Sequence, residues 1–263
     1  MTETAIVVPC WNEAQRLDAD AFLRFCEHHP AIRFFLVNDG SSDETLDMLR
    51  ELERRAPESF FALDQQPNRG KAEAVRRGMS AAFERRPDYV GYWDADLATP
   101  LEEVPRFIEI LEARPELEIL FGSRVQLLGH SIERRTARHY LGRVFATITS
   151  LTLELAVYDT QCGAKLFRVT DEIQELFGEP FCTNWIFDVE LVARLIRARR
   201  DSHDRGPENV ICEVPLQRWR DVAGSKVGPL DFFRGIAELW RIRRRYLRRG
   251  EVESGDDHHQ SRE

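Results

Sequence analysis

The strongest constraint on this chain is the alternation in its first half. Short apolar runs at Ala5–Val8, Ile32–Val37, Phe60–Leu63, Tyr89–Trp93 and Glu118–Ser123 are separated by helical patterns near residues 19–28, 43–55, 70–84 and 101–113. Strands that alternate with helices are joined by crossovers and lie mostly parallel, in a sheet covered on both faces. The expected fold class is therefore α/β. Ligands of such sheets bind beyond the carboxyl ends of the strands. The polar motifs fall there: PCWNE follows the first strand, NDGSSDET the second and DADLATP the fourth. Three strand ends thus converge on one crevice. Ser41 and Glu44 have capping-box spacing, which predicts the start of the second helix.

The second half is less regular. Leu141, Phe145, Ile148, Leu151 and Leu155 recur at helical spacing, predicting one long helix over Thr136–Val157. DTQCGAKLFR reads as a loop entering a strand, WIFDVELVARLIRAR as the approach to another helix, and NVICEVPL as a last strand. A final helix is predicted over roughly Leu230–Arg249, and the polar tail 250–263 is expected to be disordered.

At 263 residues the chain can bury a sizeable core, and its 43% hydrophobic and 31% charged content are those of a soluble globular protein. The net charge of -8 argues against general nucleic-acid binding, which needs Lys and Arg to neutralise phosphates. Cys10, Cys26, Cys162, Cys182 and Cys212 are scattered and form no C-x-x-C pair, so free thiols in a reducing cytosol are expected. No apolar run reaches the roughly 18 residues needed to span a bilayer. The expectation is a protein that is soluble or at most lies on a membrane surface.

Asp94 and Asp96 sit one residue apart at the end of a buried strand. Two such carboxylates repel each other and lose solvation unless a positive charge compensates. Mg²⁺ or Mn²⁺ is the expected compensation, since these ions prefer oxygen ligands and Mg²⁺ is commonly held by one or two carboxylates plus substrate phosphates. The competing reading is a turn in which Asp94 caps locally. Asp39 follows the second strand, where a short acid can accept hydrogen bonds from ribose hydroxyls or a base N–H; a capped helix is the alternative. Lys71, in NRGKAEAVRRG, stands at a helix start where backbone N–H groups and an ammonium can meet an anion. The spacing is not that of a P-loop.

PCWNE, VNDGSSDET, NRGKAEAVRRGM, DADLATP, FGSR, DTQCGAKLF, FDVEL and AGSK, in this order, resemble the family 2 inverting glycosyltransferases. That family has the GT-A fold, a Rossmann-like α/β/α sandwich with a mostly parallel central sheet. The second-half motifs resemble its dolichyl-phosphate β-glucosyltransferase and dolichyl-phosphate mannose synthase branch, with DTQCGAKLF and WIFDVEL closest to the former. The resemblance implies a single domain over 1–249, with a nucleotide-sugar half over 1–123, an acceptor half over 124–228 and a basic amphipathic helix over 229–249. The resemblance implies an N-terminal membrane anchor in the eukaryotic glucosyltransferases, and none is expected in the residues before Thr4.

The resemblance also implies roles. Pro9, Glu13, Asp39 and Asp94 would contact the donor nucleotide, with Lys71 nearby. Asp96 would bind the metal bridging the diphosphate, with Asp94 beside it. Asp159 falls where the family has an essential acid close to the reacting centre, and Asp188 would position the donor sugar or the arginines. For both, a structural ion pair is the competing reading. The acceptor is a polyprenyl phosphate, already anionic, so the harder task is holding one anion against another, which calls for arginines. Arg124, Arg134, Arg135 and Arg138 are candidates, against the alternative of a solvated basic face; Arg218 and Lys226 would hold phosphate from the other side.

From Arg218 to Arg249 there are ten Arg or Lys and only three acids, beside an approximate apolar stripe of Phe232, Phe233, Ile236, Leu239, Trp240, Tyr246 and Leu247. Such a helix can lie in the membrane interface or pack on the domain with one solvated face. Peripheral attachment on the cytoplasmic face is the expectation. The expected activity is metal-dependent transfer of a hexose, glucose from UDP-glucose first, onto a dolichyl-type phosphate. GDP-mannose as donor, a soluble acceptor and a sugar-nucleotide-binding scaffold are the rivals. A nucleotidyltransferase would need a Gly-rich phosphate loop where PCWNE stands.

Overall fold

The computed structural model describes residues 2–133, 136–200, 205–222 and 229–248. Its centre is a seven-stranded sheet in the order β3-β2-β1-β4-β7-β5-β8. The strands are β1 (Thr4–Cys10), β2 (Ile32–Asp39), β3 (Phe60–Gln65), β4 (Tyr89–Trp93), β5 (Ile119–Ser123), β7 (Ala164–Arg168) and β8 (Ile211–Pro215). β1 pairs in parallel with β2 and β4, β2 with β3, and β5 with β8. β7 runs antiparallel between β4 and β5. The result is the α/β architecture with a mostly parallel sheet that the alternation predicts.

The two-residue period of the strands sorts their side chains into two cores. Ala5, Val7, Phe35 and Val37 face one side, and Ile6, Val8, Phe34 and Leu36 the other. Against the first side pack α3 (Lys71–Phe83), α6 (Asp171–Gly178) and α7 (Phe187–Ala198), through residues such as Val75, Met79, Phe177 and Val192. Against the second pack α1 (Ala19–His28), α2 (Thr45–Arg55) and α4 (Glu103–Ala113), through Phe22, Leu49 and Phe107. Each fully buried Phe contributes about 1.5–3 kcal/mol.

Three details differ from the sequence reading. The Ser41–Glu44 capping box does not form. Ser41 Oγ instead accepts the Asn12 N–H at 3.0 Å, and Asp43 accepts from the N–H and hydroxyl of Thr45 at 3.1 and 2.6 Å. The helix α5 (Thr136–Leu153) ends earlier than Val157, with Glu154 at φ 53° turning the chain out of it. The last helix, α9 (Pro229–Ile242), widens into a π turn over Arg243–Leu247. α6, the short helix α8 (Pro207–Val210), and the parallel pair β6 (Ser131–Glu133) and β9 (Arg218–Arg220) have no counterpart in the sequence reading. No disulfide joins the five cysteines. The tail 250–263 lies outside the described residues.

Candidate active site

The loops after β1 and β2 are laced together. Ser42 N–H donates to Asn12 Oδ1 at 2.9 Å, Glu13 N–H to Thr45 Oγ1 at 2.8 Å and Ala14 N–H to Asp43 Oδ2 at 3.2 Å. This fixes Glu13, a buried acid in contact with Arg16, beside the crevice. Pro9 lies in β1 opposite Val37. Asp39 ends β2, and its buried carboxylate accepts the N–H groups of Arg69 and Gly70 at 2.8 and 2.9 Å and the Gln65 amide at 2.6 Å. It therefore positions the NRG loop that delivers Lys71. Gly40 permits this packing: its φ is 64°, and a Cβ there would lie 2.4 Å from the Asn68 backbone nitrogen.

Asp94 and Asp96 follow β4. Asp94 N–H donates to the Gly163 carbonyl at 2.9 Å, and its carboxylate takes the Lys71 ammonium at 2.6 Å. Asp96 Oδ1 accepts from Ala98 N–H at 3.1 Å, and Oδ2 lies 3.9 Å from Arg16. Burial and the neighbouring Asp94, with Glu13 adding to them, push the Asp96 carboxyl above its ordinary pKa. Loss of hydration works against the Lys71 charge, but Asp94, Asp188 and Asp96 outweigh it and raise its pKa.

The residues fit a hard divalent cation held in part by substrate. Among the described residues, no group of three or more His, Cys, Asp or Glu gathers around one point. A pair of carboxylates, one of them raised by burial and by its neighbour, instead suits an ion that draws its other ligands from phosphate oxygens and water.

Across the crevice Arg124, just past β5, grips Asp159 in a fork: Nε to Oδ2 and Nη2 to Oδ1, both at 2.7 Å, with the Arg124 N–H on Oδ2 at 3.0 Å. Burial works against the guanidinium charge, yet Asp159 more than offsets it and raises the Arg124 pKa. Asp159 and Tyr158 in turn donate their N–H groups to Glu213 at 2.6 and 2.7 Å. Burial pushes the Glu213 carboxyl up. Trp219 on β9 lies 5.5 Å from Arg124, and Arg220 N–H bonds the Ala98 carbonyl, so β9 closes over the acidic turn.

Asp188 occupies a different environment, at the start of α7. It pairs with the fully buried Lys165 at 2.6 Å and accepts from the Tyr92 hydroxyl. Lys165 also donates to the Cys162 carbonyl at 2.7 Å. The structure thus brings Lys71, Asp94 and Asp96 together, sets Arg124 with Asp159, and ties Asp188 beneath them. Arg218 is exposed, 3.8 Å from Glu102. Arg134, Arg135 and Lys226 lie outside the described residues, as does the side chain of Arg138 in the first turn of α5. Sequence reasoning passed over Lys165, Glu213 and Gly163. A lysine inside the apolar run AKLF was the available signal for the first, because a buried ammonium demands an acid partner.

A parallel sheet interrupted by one reversed strand, with paired acids and a lysine at its strand ends, defines a nucleotide-sugar transferase of the GT-A type. The family model described as "Glycosyl transferase family 2" matches residues 5–174. The dolichyl-phosphate beta-glucosyltransferase of Drosophila melanogaster is 31% identical over 90% of this chain and 74% of its own length. That of Saccharomyces cerevisiae is 30% identical over 92% and 75%. The glucosyl-3-phosphoglycerate synthase of Mycobacterium tuberculosis, solved with uridine diphosphate, shares the fold at TM-score 0.61 and 17% identity, over 92% of this chain and 80% of that one. The same enzyme solved with Mn²⁺, UDP-glucose and phosphoglyceric acid gives TM-score 0.61 at 16% identity, with coverage of 92% and 80%. The chain belongs to glycosyl transferase family 2 and is a glycosyltransferase.

Proposed function

We propose that this enzyme transfers glucose from UDP-glucose to a dolichyl-type polyprenyl phosphate, with inversion at the sugar carbon. The observation that carries this reading is the 31% identity to a dolichyl-phosphate beta-glucosyltransferase over 90% of the chain, a span that includes both the acidic turn and the Arg124–Asp159 pair. Asp96 and Asp94 would hold Mg²⁺ or Mn²⁺, which supplies Lewis-acid stabilisation of the departing diphosphate. Lys71 adds positive charge on the same side, where negative charge develops as the sugar leaves. Glu13 and Asp39 fix the loops that frame the nucleotide, and Pro9 carries the first of them. Arg124, oriented by Asp159, faces the acceptor phosphate and offsets its repulsion from the donor. The acceptor oxygen is already anionic, so Asp159 serves to orient rather than to remove a proton. Asp188 acts through Lys165 on the floor of the site.

The acceptor sits in a bilayer, and no helix among the described residues is long and apolar enough to cross one. The exposed face of α9 and its π turn, with Trp240, Arg243, Arg244 and Arg248, supports peripheral contact with the cytoplasmic face.

The test is a screen of UDP- and GDP-hexoses for Mn²⁺-dependent transfer onto a short polyprenyl phosphate. UDP-glucose is the expected donor, with a β-linked product. Preference for GDP-mannose would overturn the donor, and transfer only to soluble acceptors would overturn the lipid.

A further inference from the structure

Among the described residues, no acid answers the guanidinium of Arg143 in α5. Its Cζ lies 3.8 Å above the Tyr158 ring, while Nη1 is buried without a hydrogen-bond partner. The buried Arg194 and Arg199 are matched by Glu190 and Glu118, and the half-buried Arg124 by Asp159. A buried donor left unmade costs stability, so each one calls for an explanation, and a bound anion is one that a guanidinium can have.

The position is telling. Tyr158 directly precedes Asp159, and Glu213 holds the N–H groups of both. The Arg143 stack is therefore pinned one residue away from the Arg124–Asp159 pair. Exposed apolar side chains follow Arg143 on the same helix. Val144 is 50% exposed and Leu151, seven residues on along the same helix face, 75%. α9 packs against this helix where Gly235 meets Phe145, since a Cβ on Gly235 would lie 2.9 Å from the Phe145 ring. It adds exposed Ile236 and Trp240 to the surface.

We propose that Arg143 binds the phosphate of the acceptor, and that the acceptor's hydrocarbon chain leaves along the Val144, Leu151, Ile236 and Trp240 ridge. This rests on the function proposed above and adds to it a residue and a path. A cation next to an apolar track matches an anionic head on an apolar stalk, and matches a free sugar phosphate less well. Stacking on Tyr158 holds the guanidinium plane, so its donors are oriented before the ligand arrives.

The experiment compares Arg143→Met, which keeps the stem on Tyr158, with Arg143→Lys, which keeps the charge. With a short polyprenyl phosphate as acceptor, Arg143→Met should raise its KM about tenfold or more, and Arg143→Lys less. The KM for UDP-glucose should stay unchanged, and the melting temperature of Arg143→Met should equal or exceed that of wild type. Inorganic phosphate should compete only at concentrations about tenfold above the acceptor KM. An unchanged acceptor KM in Arg143→Met overturns the proposal. So does a raised KM accompanied by melting-temperature losses in both variants, which marks a structural role. Inorganic phosphate as potent as the lipid overturns the hydrocarbon path. Wild-type protein that moves no glucose to the lipid phosphate defeats the function proposed above instead. In that event, direct binding of polyprenyl phosphate, weakened in Arg143→Met or not, still decides the role of Arg143.

Discussion

Gly163 has no side chain because the carboxylate of Asp94 lies where one would be: a Cβ on Gly163 would stand 1.7 Å from Asp94 Oδ2. The glycine of DTQCG and the first acid of DADLATP are thus one construction, reinforced by the Asp94 N–H bond to the Gly163 carbonyl at 2.9 Å. Gly163→Ala must push the carboxylate away from Lys71. We predict a fall in kcat/KM of about 100-fold, roughly 2.7 kcal/mol of transition-state stabilisation, with an overpacking cost to stability of about 1–3 kcal/mol. Initial rates and urea unfolding on the same preparation check both; wild-type rates would refute the coupling.

Asp96→Ala should abolish transfer and leave the fold intact, because the residue is crowded by Asp94 and Glu13 rather than supported by them. Chelation should stop the wild-type reaction, and Mn²⁺ should restore it. Near-normal turnover of Asp96→Ala in saturating Mn²⁺ would refute the metal role of this acid.

Lys165→Met leaves Asp188 buried beside Tyr92 with its cation gone, and breaking one side of a buried pair costs about 3–5 kcal/mol. Removing both charges, in Lys165→Met/Asp188→Asn, should cost less than the sum of the single changes. Urea midpoints for the four proteins test this. Additive losses would show that the pair is not the source of the strength, and would favour a direct role for Asp188 at the substrate.

The C-terminal π turn is attached through a titratable bond. The Tyr246 hydroxyl donates to Glu190 Oε1 at 2.8 Å, and burial together with Glu190 pushes the Tyr246 phenol up to about 12. An unfolded phenol ionises near 10. The folded state therefore resists an ionisation the unfolded chain accepts, and stability falls as pH rises from about 10 towards 12. Glu190 runs in the opposite direction: burial raises it, but N–H and hydroxyl donors from Cys182, Thr183 and Tyr246, with Arg194, leave it lowered. Its contribution is present above the ordinary carboxylate range and is lost as pH falls through its lowered value. Tyr246→Phe should be less stable than wild type at pH 7 by about 1–3 kcal/mol, and the gap should narrow in alkali. Thermal melts across pH 7–12 measure it; a constant gap would contradict the assignment.

Trp240 is 63% exposed, and the Arg244 guanidinium lies 5.2 Å from its ring. The protein should float with vesicles containing anionic lipid at low salt, detach near 0.5 M salt as the charges are screened, and bind less well as Trp240→Ala. Protein that stays at the bottom of the gradient at low salt disproves the contact.

The parallel frame was legible because its strands are buried on both faces and read as unbroken apolar runs; Tyr89–Trp93 has the same limits in sequence and structure. Its acids were legible because charge at the end of such a run needs a reason. The reversal of β7 was not, since the spacing in AKLFR carries no sign of direction. Ser41 misled because its capping spacing lost to a longer-range partner: Asn12 reached it first. Asp188 was open between two roles because its partner, Lys165, is recognisable only once β7 and α7 meet. Arg143 gave no signal, since a stack on Tyr158 has no fixed sequence distance.

The reversed strand has a consequence for how such an enzyme can be divided. β5 never touches β4; β7 stands between them and bonds to both. A fragment cut after Ser123 would keep the loops after β1, β2 and β4 but strand its fifth β-segment without a neighbour. The portion after Ser123 therefore cannot be exchanged between relatives as a separate cassette: whatever replaces it must also bring the strand that stands between β4 and β5.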